Sequence, residues 1–429
     1  MDYQKLFSKA KENNINDIQV IDEYVKLFHV KTTNDNVEIY EIHSNNKYNI
    51  KAIIDNKTVY INLEKNDFDL DKIIECIKNN SKYLDSSEKD YIISDTSNNC
   101  LLSRDDDIVF NTNITDKLLS YNTLREEYDN FIEISNEYYE IYTRIKIVNN
   151  NDVVMEDDNK YCMVVTNAIF KENDKISSTF DEIYINDVNE LDLDKFVTDN
   201  VKNTNDKLNF KKIKNGKYNV LLKNECLSNI FQNINSIFFG DNIQNNKSPL
   251  VNKIGEKVFG NNITIIENPN DENYFGKRLF DNEGTLTSYK EIVSDGVFKS
   301  PIYDIKSGEK ENIKSTGNKY NGIGFKNFYL KPENNSFEDL LNKLDNGILI
   351  DKVHGMHATI NPYNGNISLQ CEGYIIENGK MIDSSKLFII STDIFELLNN
   401  ITEIGNDIKY TSLNFASPSV IIKNMSLSS

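Results

Sequence analysis

The sequence predicts an α+β protein in two parts. The first is an N-terminal two-layer α/β domain with a mostly antiparallel sheet, and the second is a larger β-rich C-terminal domain, either a sandwich or barrel-like. Alternation of apolar and polar residues, as in Val37-Glu38-Ile39-Tyr40-Glu41-Ile42, indicates strands with one buried face. Ile73, Ile74 and Ile77 share one face of a predicted helix. All 17 glycines and all 6 prolines lie at or after Gly216.

This shift in composition places the domain boundary, with residues 1–215 in the first domain and residues 216–429 in the second. With average usage, residues 1–215 would contain about 25 glycines and prolines together. The N-terminal domain therefore has to form its turns with Asn, Asp and Ser, which tolerate left-handed backbone and form Asx-turns. The C-terminal domain uses Gly and Pro as ordinary turn residues.

The first domain opens with a helix, continues with strands, and closes with a further helix after a strand-rich block. In chain order, the predicted elements are a helix at Tyr3–Asn13, strands at Val25–Thr32, Asn36–Ser44, Tyr48–Asp55 and Lys57–Asn62, a helix at Asp69–Asn80, a strand-rich block at Phe131–Phe170 and a helix at Leu193–Leu208. The densest basic run, Lys207–Lys217, comes next and is interpreted as a solvated linker.

The second domain begins with a strand at Tyr218–Leu222 and a helix at about Glu225–Phe239. Short strands between Gly, Pro and Asn turns are predicted for most of the remainder. Cys226 falls on the inward side of the predicted helix and Cys371 in a predicted strand. Core packing is the better interpretation of both thiols, because neither has a histidine placed beside it.

Charge and cysteine usage exclude several classes of function. The net charge of −19 disfavours a nucleic-acid partner, since the chain repels phosphate backbones. The five cysteines are scattered without CxxC spacing, which indicates reduced thiols and no zinc ribbon. The sequence contains no run of 18 apolar residues, so no membrane span is predicted. The N-terminus lacks the apolar core of a signal peptide. A cytoplasmic location is the resulting expectation.

Two series of short strings occur in the C-terminal domain. The first consists of Ile254-Gly255-Glu256-Lys257-Val258, Ile263–Pro269, Phe280-Asp281-Asn282-Glu283-Gly284-Thr285 and Ile292–Lys299. The second consists of Asn364–Ser368, Glu372–Lys380, Gly405–Ile408 and Ser417–Val420. In this order the strings resemble the TldD/PmbA family, with its "D-x-E-G" segment, "G-x-x-I-E-N-G" hairpin and "G-N-D" turn.

The resemblance implies a test for a catalytic zinc. TldD-type chains of the family carry an HExxxH helix that binds zinc, completed by a cysteine near the C-terminus, whereas TldE-type (PmbA) chains lack these ligands. Here the matching ligand positions are Lys223 and Ser228, and the base position is Asn224. A protonated Lys does not ligate zinc and Ser is a poor neutral ligand. With no Cys in Gly405–Ser419, the chain resembles the TldE branch, with no catalytic residue and no cofactor of its own.

The resemblance also implies a function and a partner. The expected assembly is a cytosolic zinc protease in which a TldD-type catalytic subunit holds the metal and small or unfolded peptides are the substrate. The TldE-type chain would form part of the chamber wall and the interface. Self-association is left open, and the family's label as a modulator of DNA gyrase has no support in the acidic charge. The alternatives are a stand-alone peptide-binding pseudoenzyme and an enzyme with an unrelated site.

Five further residues are candidates for an interface or for peptide binding: His354, His357, Asp281, Glu283 and Asn378. His354-Gly355-Met356-His357 is interpreted as a turn at a strand edge rather than as a metal site, since no further ligands cluster near it in the sequence.

The acidic residues Asp281, Glu283 and Asp304 are interpreted as turn residues. Paired carboxylates act as general acid and base only when burial separates their pKa values, and no feature of the sequence indicates such burial.

Overall fold

The computed structural model describes residues 1–64, 69–85, 90–101, 108–412 and 414–429. The helices are α1 (Tyr3–Glu12), α2 (Leu70–Ser81), α3 (Ile114–Ser120), α4 (Leu193–Asp206), α5 (Asn224–Ile234), α6 (Gly240–Gln244), α7 (Ile305–Glu309), α8 (Phe337–Leu344), α9 (Met356–Thr359) and α10 (Ile394–Asn399). Strands of the N-terminal half are β1 (Asp17–Thr33), β2 (Asn36–Ile54), β3 (Lys57–Leu63), β4 (Phe131–Asn149), β5 (Val154–Glu172) and β6 (Lys175–Ile185). Those of the C-terminal half are β7 (Gly216–Leu222), β8 (Ile265–Glu267), β9 (Lys290–Ser294), β10 (Val297–Phe298), β11 (Phe328–Leu330), β12 (Gly347–His354), β13 (Ile360–Asn361), β14 (Asn366–Glu377), β15 (Lys380–Asp393), β16 (Ile401–Ile404), β17 (Lys409–Tyr410), β18 (Phe415–Ser417) and β19 (Val420–Ser428).

The N-terminal half is a six-stranded antiparallel sheet with the order β3-β2-β1-β4-β5-β6. Helices α1 and α2 pack on one end of it through a cluster that includes Leu6, Ile50 and Ile77. Helices α3 and α4 pack on the other end through a cluster that includes Leu118 and Val197. This arrangement confirms the predicted two-layer α+β architecture.

The first two strands, β1 and β2, have other bounds than the sequence predicts. β2 runs unbroken where the sequence predicts two strands with a break near Asn45-Asn46. Both asparagines pair with β1 instead, and the Asn46 amide donates to Asp22 at 3.3 Å. β1 begins at Asp17, earlier than predicted, because Ile18–Asp22 is buried on both faces and shows no alternation. β6 was not predicted at all.

Asn and Asp form the tight turns of the glycine-free half, as predicted. In the described part of residues 1–215, the residues with positive φ are Asn14, Asn34, Asp55, Asn56, Asp152 and Asn173. These are the two residue types that tolerate the left-handed conformation at low cost. Aspartates also begin helices: Asp2 accepts from the Lys5 amide, and Asp69 accepts from the Asp71 and Lys72 amides.

The C-terminal half contains a closed five-stranded barrel. β12 pairs with β7, β7 with β19, β19 with β15, β15 with β14, and β14 returns to β12. Gly373 lies at the closing contact, opposite Ile350. A Cβ there would lie 1.8 Å from the Leu349 carbonyl oxygen, so this position requires glycine.

A second sheet has the order β10-β9-β8-β11-β18-β17, and α5 lies between it and the barrel. Cys226, Leu227, Ile230, Phe231 and Ile234 of α5 are buried in the core shared by both sheets. Packed on both sides, the N-terminal turn of α5 is a rigid support for side chains. The predicted single helix is divided, since a 3₁₀ turn follows the end of α5.

The segment interpreted as a solvated linker is partly buried. The Lys207 side chain is fully buried and its Nζ lies 2.7 Å from Asp351. Ser384 accepts from the Lys211 amide through its carbonyl and donates through its hydroxyl to the Asp206 and Asn209 carbonyls. The linker interpretation is therefore wrong at its N-terminal end, since a buried Lys is tolerated where carboxylates neutralise it.

None of the helices in the described part of the chain combines the length and the apolar character that a membrane crossing demands.

Candidate functional site

The candidate site begins where β7 leaves the barrel and enters α5. The Lys223 amide donates to the Ile350 carbonyl of β12, which fixes the start of the helix against the barrel. Lys223, Asn224 and Ser228 follow the apolar end of β7, as the sequence predicts.

Asn224 and Ser228 are buried and fully engaged by protein partners. The Asn224 Nδ2 donates to the Asp407 carbonyl at 2.7 Å and to its carboxylate at 3.3 Å. Its backbone amide donates to the Ser419 hydroxyl, which in turn donates to Asp407. The Ser228 hydroxyl lies 2.7 Å from that of Thr411. These bonds tie α5 to the segment before β19.

Glu225 is the centre of a buried charge network. Its carboxylate lies 3.0 Å from Lys352 Nζ and 3.7 Å from Lys223 Nζ, and it also accepts from Lys409. Lys352 pairs in addition with Asp181 of β6. We call these five residues the lysine network. It joins the N-terminal sheet to the barrel, because Asp181 belongs to the first and Lys352 to the second.

The charges of the lysine network stabilise one another. Burial raises the pKa of Glu225, but the ammonium groups of Lys223, Lys352 and Lys409 lower it more strongly, so it lies well below its ordinary value. Burial lowers the pKa of Lys352, but Glu225 and Asp181 raise it above its ordinary range. Against the effect of burial, the pKa of Asp181 is likewise lowered, chiefly by Lys352, and that of Lys223 is raised by Glu225, so these buried groups are held in their charged forms.

A cavity of about 400 Å³ opens beside the lysine network. Its wall includes Phe180, Glu225, Lys352, His354 and Glu372, from both halves of the chain. His354 Nε2 lies 3.3 Å from a Glu372 oxygen. Burial raises the pKa of Glu372, but His354, Lys207 and Lys386 lower it to about 2. The cavity therefore combines fixed charges of both signs with the apolar surface of Phe180.

The predicted turn at His354-Gly355-Met356-His357 is confirmed: Gly355 follows the end of β12 with a φ of 78° and begins the short α9. His354 lines the cavity, whereas His357 is exposed on α9 and is not part of the wall. Asn378 lies elsewhere, at the exposed tip of the β14–β15 hairpin, with a φ of 49°. The structure thus separates these three candidates.

Asp281 and Glu283 lie in another region and are buried. Asp281 accepts from the backbone amides of Glu283, Thr285 and Lys319, each at 2.9 Å. Burial raises the pKa of Asp281 to about 6. Burial, followed by the Asp281 charge, raises that of Glu283 to about 7. The turn role predicted for Asp281 agrees with its three amide contacts.

Asp304 differs from the other two carboxylates. It caps α7 and pairs with Lys319 at 2.6 Å. Burial raises its pKa, but Lys319 and Ser307 lower it below its ordinary value. Burial raises the pKa of all three carboxylates, and the contacts of Asp304 with Lys319 and Ser307 separate its pKa from those of the other two, a property that the sequence did not reveal.

Comparison with known proteins identifies the fold and the family. The sequence model of the PmbA/TldA metallopeptidase C-terminal domain matches residues 215–429. The chain belongs to the PmbA/TldD family. The metalloprotease PmbA homologue of Buchnera aphidicola is 30% identical over 222 residues, 52% of this chain and 48% of that protein. PmbA of Escherichia coli O157:H7 is 24% identical over 229 residues, 53% of this chain and 50% of that protein. The matches thus span about half the length of these curated relatives.

Solved PmbA/TldD-family structures extend the likeness of fold to the whole chain. TldE of Thermococcus kodakarensis superposes with a TM-score of 0.88 at 18% identity, covering 100% of both chains. A Thermotoga maritima protein described as a modulator of a DNA gyrase superposes with a TM-score of 0.87 at 24% identity, covering 99% of both chains. The α+β fold predicted from the sequence is confirmed, and so is the family.

The residues that the resemblance assigns to the zinc-motif positions have side chains that do not fit zinc. Lys223 presents an ammonium group, Asn224 is bonded to Asp407, and the Ser228 hydroxyl is bonded to Thr411. Zinc prefers thiolate, imidazole and carboxylate ligands. Across the described ranges, no group of three His, Cys, Asp or Glu side chains has the proximity needed to hold a metal ion.

Sequence reasoning assigned Lys223, Asn224 and Ser228 to the motif positions by resemblance, and it missed Asp181, Lys352 and Lys409 as partners of Glu225. The four residues are far apart in sequence, and only the fold brings them together. One signal was present: Lys352 interrupts the apolar strand that contains Ile348, Leu349, Ile350 and Val353. A charged residue in a buried strand requires a partner.

Proposed function

We propose that this chain is a TldE-type subunit, without a metal of its own, of a cytoplasmic TldD/TldE-like metallopeptidase that cleaves small or unfolded peptides. The observation that carries the proposal is the lysine network at the zinc-motif positions. Three ammonium groups surround Glu225 there, and they repel a divalent cation. Zinc would be held only by a TldD-type partner.

The contribution of this chain would be a wall of the peptide chamber and an interface. Peptide hydrolysis at neutral pH needs an activated water, which zinc provides by lowering the pKa of the water to about 7. The cavity beside the lysine network contains apolar and charged groups suited to a peptide, including Phe180, His354 and Glu372. An extended peptide would also gain main-chain hydrogen bonds at an edge strand such as β17.

The test compares peptide cleavage by this chain, by a TldD-type subunit and by their mixture. We expect no cleavage by this chain alone and cleavage by the mixture that a zinc chelator abolishes. Elemental analysis should find less than stoichiometric zinc in the isolated chain. Chelator-sensitive cleavage by this chain alone would contradict the proposal.

Gel filtration of the same mixture is the control for assembly. We expect a complex that elutes earlier than either chain. A mixture that neither cleaves the peptide nor forms a complex would favour the stand-alone peptide-binding pseudoenzyme.

A further inference from the structure

A second cavity, of about 240 Å³, lies where the N-terminal sheet meets the C-terminal half. Its floor is formed by β1, β4 and β5 and includes Glu23, Ile145, Asp157 and Tyr161. Its roof is formed by two segments of the C-terminal half, one at residues 276–278 and one at Lys326. The cavity shares no wall residue with the one beside the lysine network.

The roof carries two cations that lack a carboxylate partner. Arg278 donates only to neutral oxygens, the Phe280 carbonyl at 2.9 Å and the Asn282 side chain at 2.8 Å. Its guanidinium lies 6.0 Å from the centre of the Tyr320 ring, and Lys326 Nζ lies 5.1 Å from the same centre. Within the described part of the chain, neither Arg278 nor Lys326 makes an ion pair within 4 Å.

The shared aromatic ring carries no charge, and the carboxylates that act on Arg278, Asp157 and Glu23 among them, do so only from beyond ion-pair distance. Burial lowers the pKa of Lys326 to about 8, and the nearby Arg278 charge adds to this effect. A cation–π contact stabilises a cation by less than the cation loses on leaving water. An anion entering the cavity would supply the missing partner.

The floor carries the opposite charges. Asp157 accepts one hydrogen bond, from the Leu279 amide at 2.8 Å, and burial raises its pKa. Glu23 lines the same cavity. Among the residues that the structure describes, neither carboxylate lies within 4 Å of a Lys, Arg or His nitrogen. The cavity therefore has two cations on its loops and two carboxylates on its strands without an ion-pair partner within 4 Å. Arg144 of β4 also lines the floor, but it is already paired with Glu156.

We propose that this cavity binds a small zwitterion, namely a free α-amino acid with an apolar side chain. The carboxylate would pair with Lys326 and Arg278, the ammonium group with Glu23 and Asp157, and the side chain would contact Ile145 and Tyr161. The volume suits one amino acid, since about eight waters at about 30 Å³ each would fill it. This inference goes beyond the proposed peptidase role and does not depend on it.

Recognition would require both charges of the ligand. A ligand that lacks one of them leaves a desolvated protein charge without a partner, which costs more than the lost contact alone. N-acetyl-leucine keeps the carboxylate but not the ammonium group, and leucinamide keeps the ammonium group but not the carboxylate. We expect both to bind at least about tenfold more weakly than leucine.

The experiment is isothermal titration of the full chain with leucine and phenylalanine, with thermal unfolding as a second readout. We expect heat of binding and a raised Tm with both amino acids. Lys326→Met should weaken binding at least about tenfold. Without ligand its Tm should equal or exceed that of the natural chain, because an unpaired buried ammonium group has been removed. The matched control is Lys331→Met, at an exposed lysine, which should bind normally.

Three outcomes would overturn the proposal. One is the absence of both heat and a Tm shift with leucine and phenylalanine at millimolar concentration. Another is equal affinity for leucine and N-acetyl-leucine. The third is normal leucine binding by Lys326→Met.

Discussion

Lys352 is the residue on which the lysine network depends. It lies between Glu225 of α5 and Asp181 of β6, and all three side chains are largely buried. We predict that Lys352→Met lowers the free energy of unfolding by about 3 kcal/mol, because two buried carboxylates lose a cation. Denaturant unfolding measures this difference.

The control for that measurement is Lys331→Met, which removes the same charge from an exposed position. We expect it to change the free energy of unfolding by less than about 0.5 kcal/mol. An equally small effect of Lys352→Met would show that the network is not stabilising.

Glu283 makes stability depend on pH near neutrality. Its pKa of about 7 in the folded protein lies above its ordinary value of 4.5. The folded state therefore binds more protons than the unfolded state between these values, and stability falls as pH rises through this window. We predict that Glu283→Gln, which mimics the protonated form, unfolds at higher temperature than the natural chain at pH 8 but not at pH 4.

Thermal unfolding of Glu283→Gln and of the natural chain at pH 4 is the control for the comparison at pH 8. Gln retains the oxygen that accepts from the Ile305 amide at 2.8 Å, so the gain at pH 8 comes from removal of the charge. Equal Tm differences at both pH values would mean that the Glu283 carboxyl is not raised in pKa.

Only part of this chemistry could be predicted residue by residue. The strand end that precedes Lys223 could be predicted from its apolar residues, and the structure confirms it, whereas the assignment of Lys223, Asn224 and Ser228 to a zinc motif stays a prediction. The raised pKa values of Asp281 and Glu283 could not, because they arise from burial between segments distant in sequence. The cavity that Asp157 and Lys326 line could not be predicted for the same reason.

At the scale of elements, closure of the barrel depends on one small residue. A side chain at Gly373 would collide with the backbone of β12 where this strand meets β14. We predict that Gly373→Ala costs about 3 kcal/mol or prevents folding, because neither backbone can move without breaking ladder bonds. Soluble yield and urea unfolding measure the effect.

Gly322→Ala is the matched control, since a Cβ at Gly322 meets nothing within 4 Å. This variant should unfold at nearly the same urea concentration as the natural chain. Normal stability of Gly373→Ala would imply that β12 and β14 do not close the barrel.

The elements themselves were predicted best where pattern and burial agree. α2 has one apolar face against the sheet and was found within one residue at each end. A sandwich or a barrel was predicted for the C-terminal half, but the choice between them could not be made, because strand order depends on pairing between distant segments. The break predicted at Asn45-Asn46 was wrong, because both residues pair with the continuous strand β1 in spite of their preference for turns.

For the whole molecule, the boundary between residues 215 and 216 remains a prediction. Residues 209–217 are exposed apart from Ile213, whereas Lys207 is buried. We predict that limited trypsin cleavage begins after Lys211, Lys212 or Lys214, and not after Lys207. Mass spectrometry of the first fragments identifies the sites. Early cleavage inside β4, β5 or α5 instead would mean that the composition boundary is not a structural one.

The left-handed asparagines and aspartates of the N-terminal turns also matter to anyone who would engineer this protein. Each holds a backbone conformation that costs most L-residues about 1–2 kcal/mol, that Asn and Asp adopt at a lower cost, and that glycine adopts freely. Glycine at positions such as Asn56 and Asn173 would relieve this small cost, whereas glycine at position 34 would also remove the side chain that accepts a hydrogen bond from the Ile134 amide. These hairpin tips lie outside both cavities, so a thermostable variant could be assembled there, turn by turn, without altering either binding surface.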